Sequence, residues 1–534
     1  MQIQHISINS SGRFSQLVCD YIKEDERLQS FLENYPSLET FDNQIKKKKK
    51  HFSNEHRSVL VEVLKDQYTG IEISKGVEEQ FELLKDENTF TITTGHQLCL
   101  MTGPLYFIYK IISTLNLCKQ LKVKYPNSNF VPIYWMASED HDFEEISSFQ
   151  FQNKKIRWKR ENVGPVGKLP LNDLQEVLDV FQTHLGIQPQ ADKINNWLEK
   201  SYRKANNLSE ATFQLVNELF GDYGLLVLEP NNKKLKALFA PYIEEELIKN
   251  SSHNHVLEQI ELLREEYDKN YTPQVNPREI NMFYISSKGR FRLEKKDERF
   301  TLHGSEKSFS KKEVLELLKN HPERFSPNVL LRPLYQEVVL PNLCYIGGGA
   351  EIAYWLQLKK VFDRTEIPFP SLLVRNSILL YSEKQAKKIK NLNLSLSDLF
   401  LDRNTLISKK IQQISNIDLN LTFLKTQLKE QFTFLNQLTD QTDKSFRGAV
   451  RAQEKKQLKG IDKLEKRLLK AQKRVLSDEV QRLTELHDQL FPNDQLQERN
   501  FNFFTFYIEI GEKMIPSLLK LIDPLNPDFS LIEY

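Results

Sequence analysis

The chain is poor in the features that several protein classes require. Its 534 residues include only four cysteines, Cys19, Cys99, Cys118 and Cys344. Four thiols spread over that length form no disulfide framework and no metal-ligand spacing. An excess of one charge is also lacking: 74 Lys+Arg stand against 72 Asp+Glu, a net charge of +2. That balance counts against nucleic acid as a partner. No apolar run approaches the roughly 18 residues of a membrane span, and residues 1–16 carry no apolar core like that of a signal peptide. The expectation is a cytoplasmic protein in a reducing compartment, with no membrane partner. One basic run, the five lysines at 46–50 followed by His51, reads on this neutral background as a solvated turn or helix end. The length calls for about two or three domains.

What is present is one abrupt transition. Residues 130–137, Phe-Val-Pro-Ile-Tyr-Trp-Met-Ala, are almost wholly apolar and read as a strand buried on both faces. Ser138, Glu139, Asp140, His141 and Asp142 follow at once. Carboxylates and an imidazole are costly to place in a core, but the carboxyl end of a strand in an open α/β sheet is where ligand binds. Upstream, residues 89–94 alternate Phe and Ile with Thr, as strands do. A turn at Gly95-His96-Gln97 and a helix opening at Thr102-Gly103-Pro104 complete a β-α-β unit. Further strands are expected at 224–230, 343–346 and 369–374, with helices at 233–250 and 350–361. Residues 160–220 read as polar helices and 280–303 as a hairpin. Both are read as insertions into an α/β core.

After Asn376 the composition changes. Between 402 and 489 there is no proline and only Gly448 and Gly460. Ile461, Leu464, Leu468, Ala471 and Val475 are spaced as a heptad seam. Leu421, Leu424, Leu428, Phe432, Leu435 and Leu438 are spaced nearly as well. Two long helices with a reversal between them predict an antiparallel coiled-coil arm that supports a homodimer. The aromatic run 501–507 is too apolar to stay exposed, so a last helix should pack back on the body. The resulting division is 1–160 and 321–376 for the core, 161–320 for the insertions, 377–500 for the coiled coil and 501–534 for the returning helix.

Each polar motif has a bland reading beside the functional one. Thr94-Gly95-His96-Gln97 is either an ordinary tight turn or an anion site with a proton-carrying imidazole. Ser138 to Asp142 is either a solvated loop or a grip on an amine or hydroxyl, with Asp140 or His141 as general base. No distant His or Cys completes a metal site, so no metal is expected. Gly347-Gly348-Gly349 is either a flexible turn or a loop that lets ligand reach the backbone; it is not the dinucleotide fingerprint. Glu351 and Tyr354 share the face of the next helix. Arg332 and Arg375 are either salt-bridge partners or bidentate clamps for carboxylate or phosphate.

These motifs, in this order, resemble the bacillithiol-biosynthesis cysteine-adding family. The resemblance runs through Thr94-Gly95-His96-Gln97, Thr102-Gly103-Pro104-Leu105-Tyr106 with Tyr109-Lys110, and Trp135 with residues 137–144. It continues through residues 325–333, Leu340-Pro341, Tyr345-Ile346-Gly347-Gly348, residues 350–355, Leu490-Phe491-Pro492 and Leu496-Gln497-Glu498-Arg499. Gly349 stands where the family pattern has proline, and Cys99 where it has a small or polar residue. The resemblance implies a Rossmann-like parallel-sheet core with connecting segments, plus an α-helical coiled-coil domain. It implies a ligase that adds L-cysteine to glucosaminyl-malate, with ATP or another nucleotide as the expected activator. His96, Asp140 and His141 are the expected catalytic residues. The substrates would meet Thr94, Gly95, Gln97, Gly103, Ser138, Glu139, Asp142, Arg332, Gly347, Gly348, Glu351, Tyr354 and Arg375. The Lys-Met-Ser-Lys-Ser loop of class I synthetases is missing, which counts against adenylation of the cysteine. The alternatives are a class I synthetase-like or nucleotidyltransferase-like enzyme acting on another substrate, against which the missing basic excess counts, and a non-enzymatic coiled-coil scaffold.

Overall fold

In a computed structural model, which describes residues 1–152, 154–161, 164–442 and 444–534, five parallel strands form the central sheet. Their spatial order is Ser371–Val374, Asn342–Gly347, Thr89–His96, Asn129–Met136 and Leu226–Leu228. From Thr89–His96 the chain moves to one side through 129–136 and 226–228. The two later strands fill the other side. The strand order therefore reverses between Thr89–His96 and Asn342–Gly347. A crevice opens outside the carboxyl ends of such a pair, and ligands bind there in open α/β sheets.

The expected strands are all present, with small shifts at their ends. Two helix expectations are corrected. The helix after the first strand does not open at Thr102-Gly103-Pro104 but runs Tyr106–Lys124. Met101, Thr102 and Gly103 all take left-handed backbone, at φ 53°, 71° and 65°, and break the helix register. The helix expected at 350–361 is two short ones, Gly349–Trp355 and Lys359–Thr365.

The hairpin expected at 280–303 is part of a larger sheet. Met282–Ser286 and Gly289–Lys296 pair as foreseen, then Arg299–Leu302, Ser308–Phe309 and Phe325–Pro327 extend them into five antiparallel strands. Residues 166–220 do fold largely as helices, with 162 and 163 outside the described residues, but the helices' inner faces are apolar: Leu178, Phe181, Ile194 and Trp197 are buried. A third sheet joins both ends of the chain. Gln2–Ile6 pairs antiparallel with Phe529–Glu533, which runs parallel to Ile378–Tyr381.

The arm is built from Arg403–Ile414, Thr422–Thr439, Lys444–Val475 and Ser477–Leu490. Its legs run antiparallel, as the ties Lys425–Glu465, Lys473–Ser408 and Arg403–Asp488 require. The second seam departs from the heptad expectation. Leu464 and Val475 are 57% and 74% exposed, while Leu469, Gln472 and Leu476 turn inward instead. A straight helix drifts from a strict 3.5-residue repeat, and here the inner face follows the 3.6 period. The returning segment holds two helices, Phe503–Ile510 and Met514–Leu521, besides the terminal strand. Its aromatic run packs as expected, with Phe504 5.8 Å from Phe181 and 6.2 Å from Trp197, centroid to centroid. Among the described residues no helix is long and apolar enough to cross a membrane.

Candidate functional site

A cavity of about 1070 Å³ sits at the reversal point of the sheet. The parallel register sets Gly95 beside Trp135 and His96 beside Met136, so both turns open at one edge. His96, Asp140 and His141 therefore line one cavity, joined by Gly95, Gln97, Glu139, Arg332, Gly348, Glu351, Tyr354 and Arg375.

The wall at Asp140 is acidic and tightly held. Gln97 Nε2 donates to Asp140 Oδ2 at 2.7 Å, and the backbone N–H of His141 donates to Oδ1 at 2.7 Å. Burial opposes ionisation of Asp140, but the hydrogen bonds from His141 and Gln97 and the charge of Arg290 outweigh it. They hold the carboxyl well below the usual carboxylate range. Arg290 Nη1 also lies 2.9 Å from His141 Nδ1. A guanidinium only donates, so Nδ1 accepts there and the neutral imidazole carries its proton on Nε2. Glu139 is paired with buried Lys236, whose Nζ lies 2.7 Å from Oε1.

The opposite wall is cationic. Arg332 lies over the Tyr345 ring, 5.2 Å from its centroid. Its Nη1 donates to Gln336 Oε1 at 3.0 Å and its Nη2 to the Tyr354 hydroxyl at 3.2 Å. Both partners are neutral, and among the described residues Arg332 makes no ion pair. Arg375 is fixed by Glu498 at 2.7 Å, yet its buried Nε has no protein partner. Arg499, next to Glu498, brings a further guanidinium to the cavity.

Between the walls stand His96 and a buried triad. Burial, reinforced by Lys110, lowers the His96 pKa to about 3, so the ring is neutral near pH 7. The ring packs against Tyr106 and Phe107, and its Nε2 has no protein partner. Lys110 Nζ meets Glu351 Oε2 at 2.5 Å and donates to Gly95 O at 2.8 Å. Tyr345 donates to Glu351 Oε1 at 2.5 Å, and Gly348 N–H to Oε2 at 2.7 Å. Burial would raise the Glu351 carboxyl, but Lys110, Tyr345 and Gly348 together bring it down to about 2.

The remaining expected residues lie outside this cavity. Thr94 Oγ1 donates to Ile346 O across the sheet at 2.8 Å. Ser138 donates to Glu229, a carboxyl that burial raises above its usual value. Asp142 caps the short helix Phe143–Ile146 and faces an adjoining open groove that shares Gln97, Asp140 and His141 with the cavity. Gly103 is structural: a Cβ there would stand 2.4 Å from that of Cys99, and its carbonyl accepts from Asn502.

The glycines serve by smallness, not by left-handed backbone. Neither Gly95 nor any of Gly347, Gly348 and Gly349 has positive φ. A Cβ at Gly347 would meet the Tyr345 ring at 3.0 Å, and one at Gly349 would meet Val18 Cγ2 at 2.7 Å. Only Gly348 has room, and it faces the cavity.

Sequence reasoning passed over Lys110, Tyr345, Arg290, Arg499 and Lys48. Lys110 had a signal, a lone charge beside Ile108, Ile111 and Ile112 on a buried helix. Arg290 had none, because its sheet reaches the site only in three dimensions. Lys48 is a correction: one member of the supposedly solvated lysine run is fully buried. Among the described residues no group of three or more His, Cys, Asp or Glu could hold a metal ion.

Two family models cover the chain. The N-terminal Rossmann-like domain of bacillithiol biosynthesis BshC matches residues 1–376, and the C-terminal coiled-coil domain of the same family matches 378–534. Curated relatives named "Putative cysteine ligase BshC" are similar over nearly the full length. The Flavobacterium johnsoniae protein is 52% identical over 99% of both chains. That of Christiangramia forsetii is 47% identical over 99% of this chain and 98% of its own. That of Cytophaga hutchinsonii is 36% identical over 100% and 99%. A solved structure titled as an arginyl-tRNA synthetase from Campylobacter jejuni aligns over 84% of this chain and 99% of its own. Its TM-score is 0.20 and its identity 9%, so no argument rests on it. A parallel-sheet core with a polar crevice at its reversal point, a coiled-coil arm, and two family models that span both place the chain: it belongs to the BshC family of bacillithiol biosynthesis and is an enzyme of the ligase class.

Proposed function

We propose that the chain joins the carboxyl group of L-cysteine to the amine of glucosaminyl-malate and so forms bacillithiol. The observation that carries this reading is the polarity of the cavity: an ionised carboxylate stands on one wall, and an arginine with only neutral partners stands on the other. Asp140 suits a substrate ammonium. Held so far down, it is a weak base, and its role is to hold and orient the amine. Arg332 suits a malate carboxylate, since a guanidinium takes a carboxylate bidentately. His96, neutral and with Nε2 unpartnered, donates from its Nε2–H tautomer to the oxygen on which charge develops as the amide forms. His141 takes the amine's proton once its contact with Arg290 opens.

Amide formation needs an activated carboxyl, and ATP or another nucleotide remains the proposed source. The unpartnered Nε of Arg375 and the guanidinium of Arg499 fit phosphate oxygens. A bound nucleotide would supply a leaving group on the cysteine carboxyl. We also propose a homodimer through the arm, where Phe423, Leu464 and Val475 remain exposed, and a place in the reducing cytoplasm, in keeping with four unpaired, buried cysteines. The test is mass-spectrometric detection of the cysteine adduct from purified protein, L-cysteine and glucosaminyl-malate, with and without ATP. An adduct that requires both substrates supports the reading, and no adduct under either condition overturns it.

A further inference from the structure

Five lysines crowd the end of helix Phe41–His51, yet Lys48 is 0% exposed. Its Nζ donates to Glu337 Oε2 at 2.9 Å, and Glu337 is itself only 1% exposed. Removing two charges from water costs several kcal/mol per ion after relaxation, and a buried pair rarely returns more than it costs. Stability alone is a weak reason for this pair, and its remaining hydrogen bonds lead toward Arg332. Glu337 Oε1 accepts from Gln336 Nε2 at 3.0 Å and from Asn342 Nδ2 at 2.6 Å. Gln336 Oε1 in turn accepts from Arg332 Nη1 at 3.0 Å.

We propose that the Lys48–Glu337 pair is a positioning device for Arg332, acting through the side-chain amide of Gln336. The proposal rests on the reading of Arg332 as the carboxylate clamp. An ionised carboxylate can only accept, so the NH2 end of Gln336 must face Glu337. That leaves the amide oxygen, and not the NH2, facing the guanidinium. Lys48 supplies the condition for this order. Without its ammonium, Oε2 would be a buried acceptor that has lost its partner, and the carboxyl would turn away from the amide that it orients. The Gln336 amide could then turn, and donor would face donor at Arg332. Asn342 is oriented by the same charge on the other side: its Oδ1 accepts from Thr93 Oγ1 at 2.8 Å. One buried charge thus sets the polarity of two amides and, through one of them, the direction of the arginine. None of Lys48, Gln336 and Glu337 lines the cavity. They are positioning residues and touch no substrate.

A purely structural pair would hold helix Phe41–His51 against helix Arg332–Val339 and leave ligand affinity unchanged. Two full-length variants separate the possibilities, Gln336→Met and the double variant Lys48→Met/Glu337→Met. The first keeps the ion pair and breaks the relay. The second replaces a buried ion pair by apolar side chains, an exchange that is often neutral for stability. Each is followed by thermal unfolding and by calorimetric titration with malate alone, beside wild type and Arg332→Met. We expect both to fold, the double variant with a lowered midpoint because the buried amides of Gln336 and Asn342 lose their acceptor, and both to bind malate about tenfold more weakly, the scale of one charge-assisted hydrogen bond. If the double variant does not fold, Gln336→Met decides. Wild-type affinity in a folded relay variant, while Arg332→Met has lost it, overturns the relay and spares the clamp. Failure of the wild type to bind malate, or undiminished binding by Arg332→Met, overturns the clamp and the relay together.

Discussion

The reversal-point cavity and the helical arm treat charge in opposite ways. Around the cavity, charges are buried in pairs: Lys110 with Glu351, Lys236 with Glu139, Lys48 with Glu337 and Arg375 with Glu498. In the arm, the pairs Arg403–Asp488, Arg447–Asp440 and Arg482–Glu479 are largely exposed, and large apolar side chains are exposed there with them. Exposed pairs contribute little and are screened by salt. Buried pairs give fixed direction to the groups they hold, at a desolvation cost. The difference shows where directional chemistry is done, and four predictions test it.

The largest effect is expected at Lys110. Lys110→Met would leave the Glu351 carboxylate, 26% exposed at the cavity wall, without its cation; breaking a fully buried pair costs about 3–5 kcal/mol, and this one should cost the lower end of that range. Chemical denaturation would read it. A loss no larger than that of an arm variant would erase the contrast between the two regions. Asp140→Asn comes next. It keeps the shape but removes the charge that holds the amine, so turnover should fall about 100-fold; the unfolding midpoint should drop as well, because the fold favours the ionised carboxylate, but the variant should stay folded. Wild-type turnover would take this wall out of the mechanism.

The third prediction concerns pH. The unfolded chain binds a proton at His96 below about pH 6.5, and the folded chain only below about pH 3. Between those values the unfolded state binds more protons, so stability should fall as pH drops from 6.5 toward 3. Glu351, lowered from 4.5 to about 2, adds a loss of the same sign in acid below pH 4.5. His96→Asn should flatten the upper part of this decline in acid-unfolding curves, and an unchanged slope would contradict the burial argument. The smallest effect is expected in the arm, where Lys425→Met should leave both the unfolding midpoint and turnover unchanged. Any clear loss of turnover would show that the arm acts on the site.

The glycine loop shows how much of this could be read from the sequence. The apolar strands and the polar residues at their ends were legible because composition switches within one residue at Ala137–Ser138, and the parallel register then brings both turns to one edge. The loop Gly347-Gly348-Gly349 was legible only in part: Gly348 does face the cavity, while packing explains its two neighbours. Its glycines avoid collisions with Tyr345, Glu351 and Val18, and such contacts have no sequence signature. The helix start was misplaced for a related reason: Pro104 looks like a first-turn proline, but left-handed backbone from Met101 to Gly103 and the ties from Asn502 fix a loop. Lys48 was hidden by its neighbours. Of five identical residues only helix phase, set by packing against Glu337, decides which one is buried. In the arm, apolar spacing and the lack of proline revealed the helices, but the inward face follows helix phase more closely than the heptad count.

The central claim is that the polarised cavity, and not the arm, carries the ligase chemistry. The most direct test measures the rate of cysteine-adduct formation for Arg332→Met and Lys425→Met beside wild type, with circular dichroism as the check of folding. The account predicts a folded Arg332→Met that forms little or no adduct at substrate levels that saturate the wild type, and a Lys425→Met that matches the wild type. A folded Arg332→Met with wild-type rates, or a Lys425→Met that loses the reaction, would contradict it.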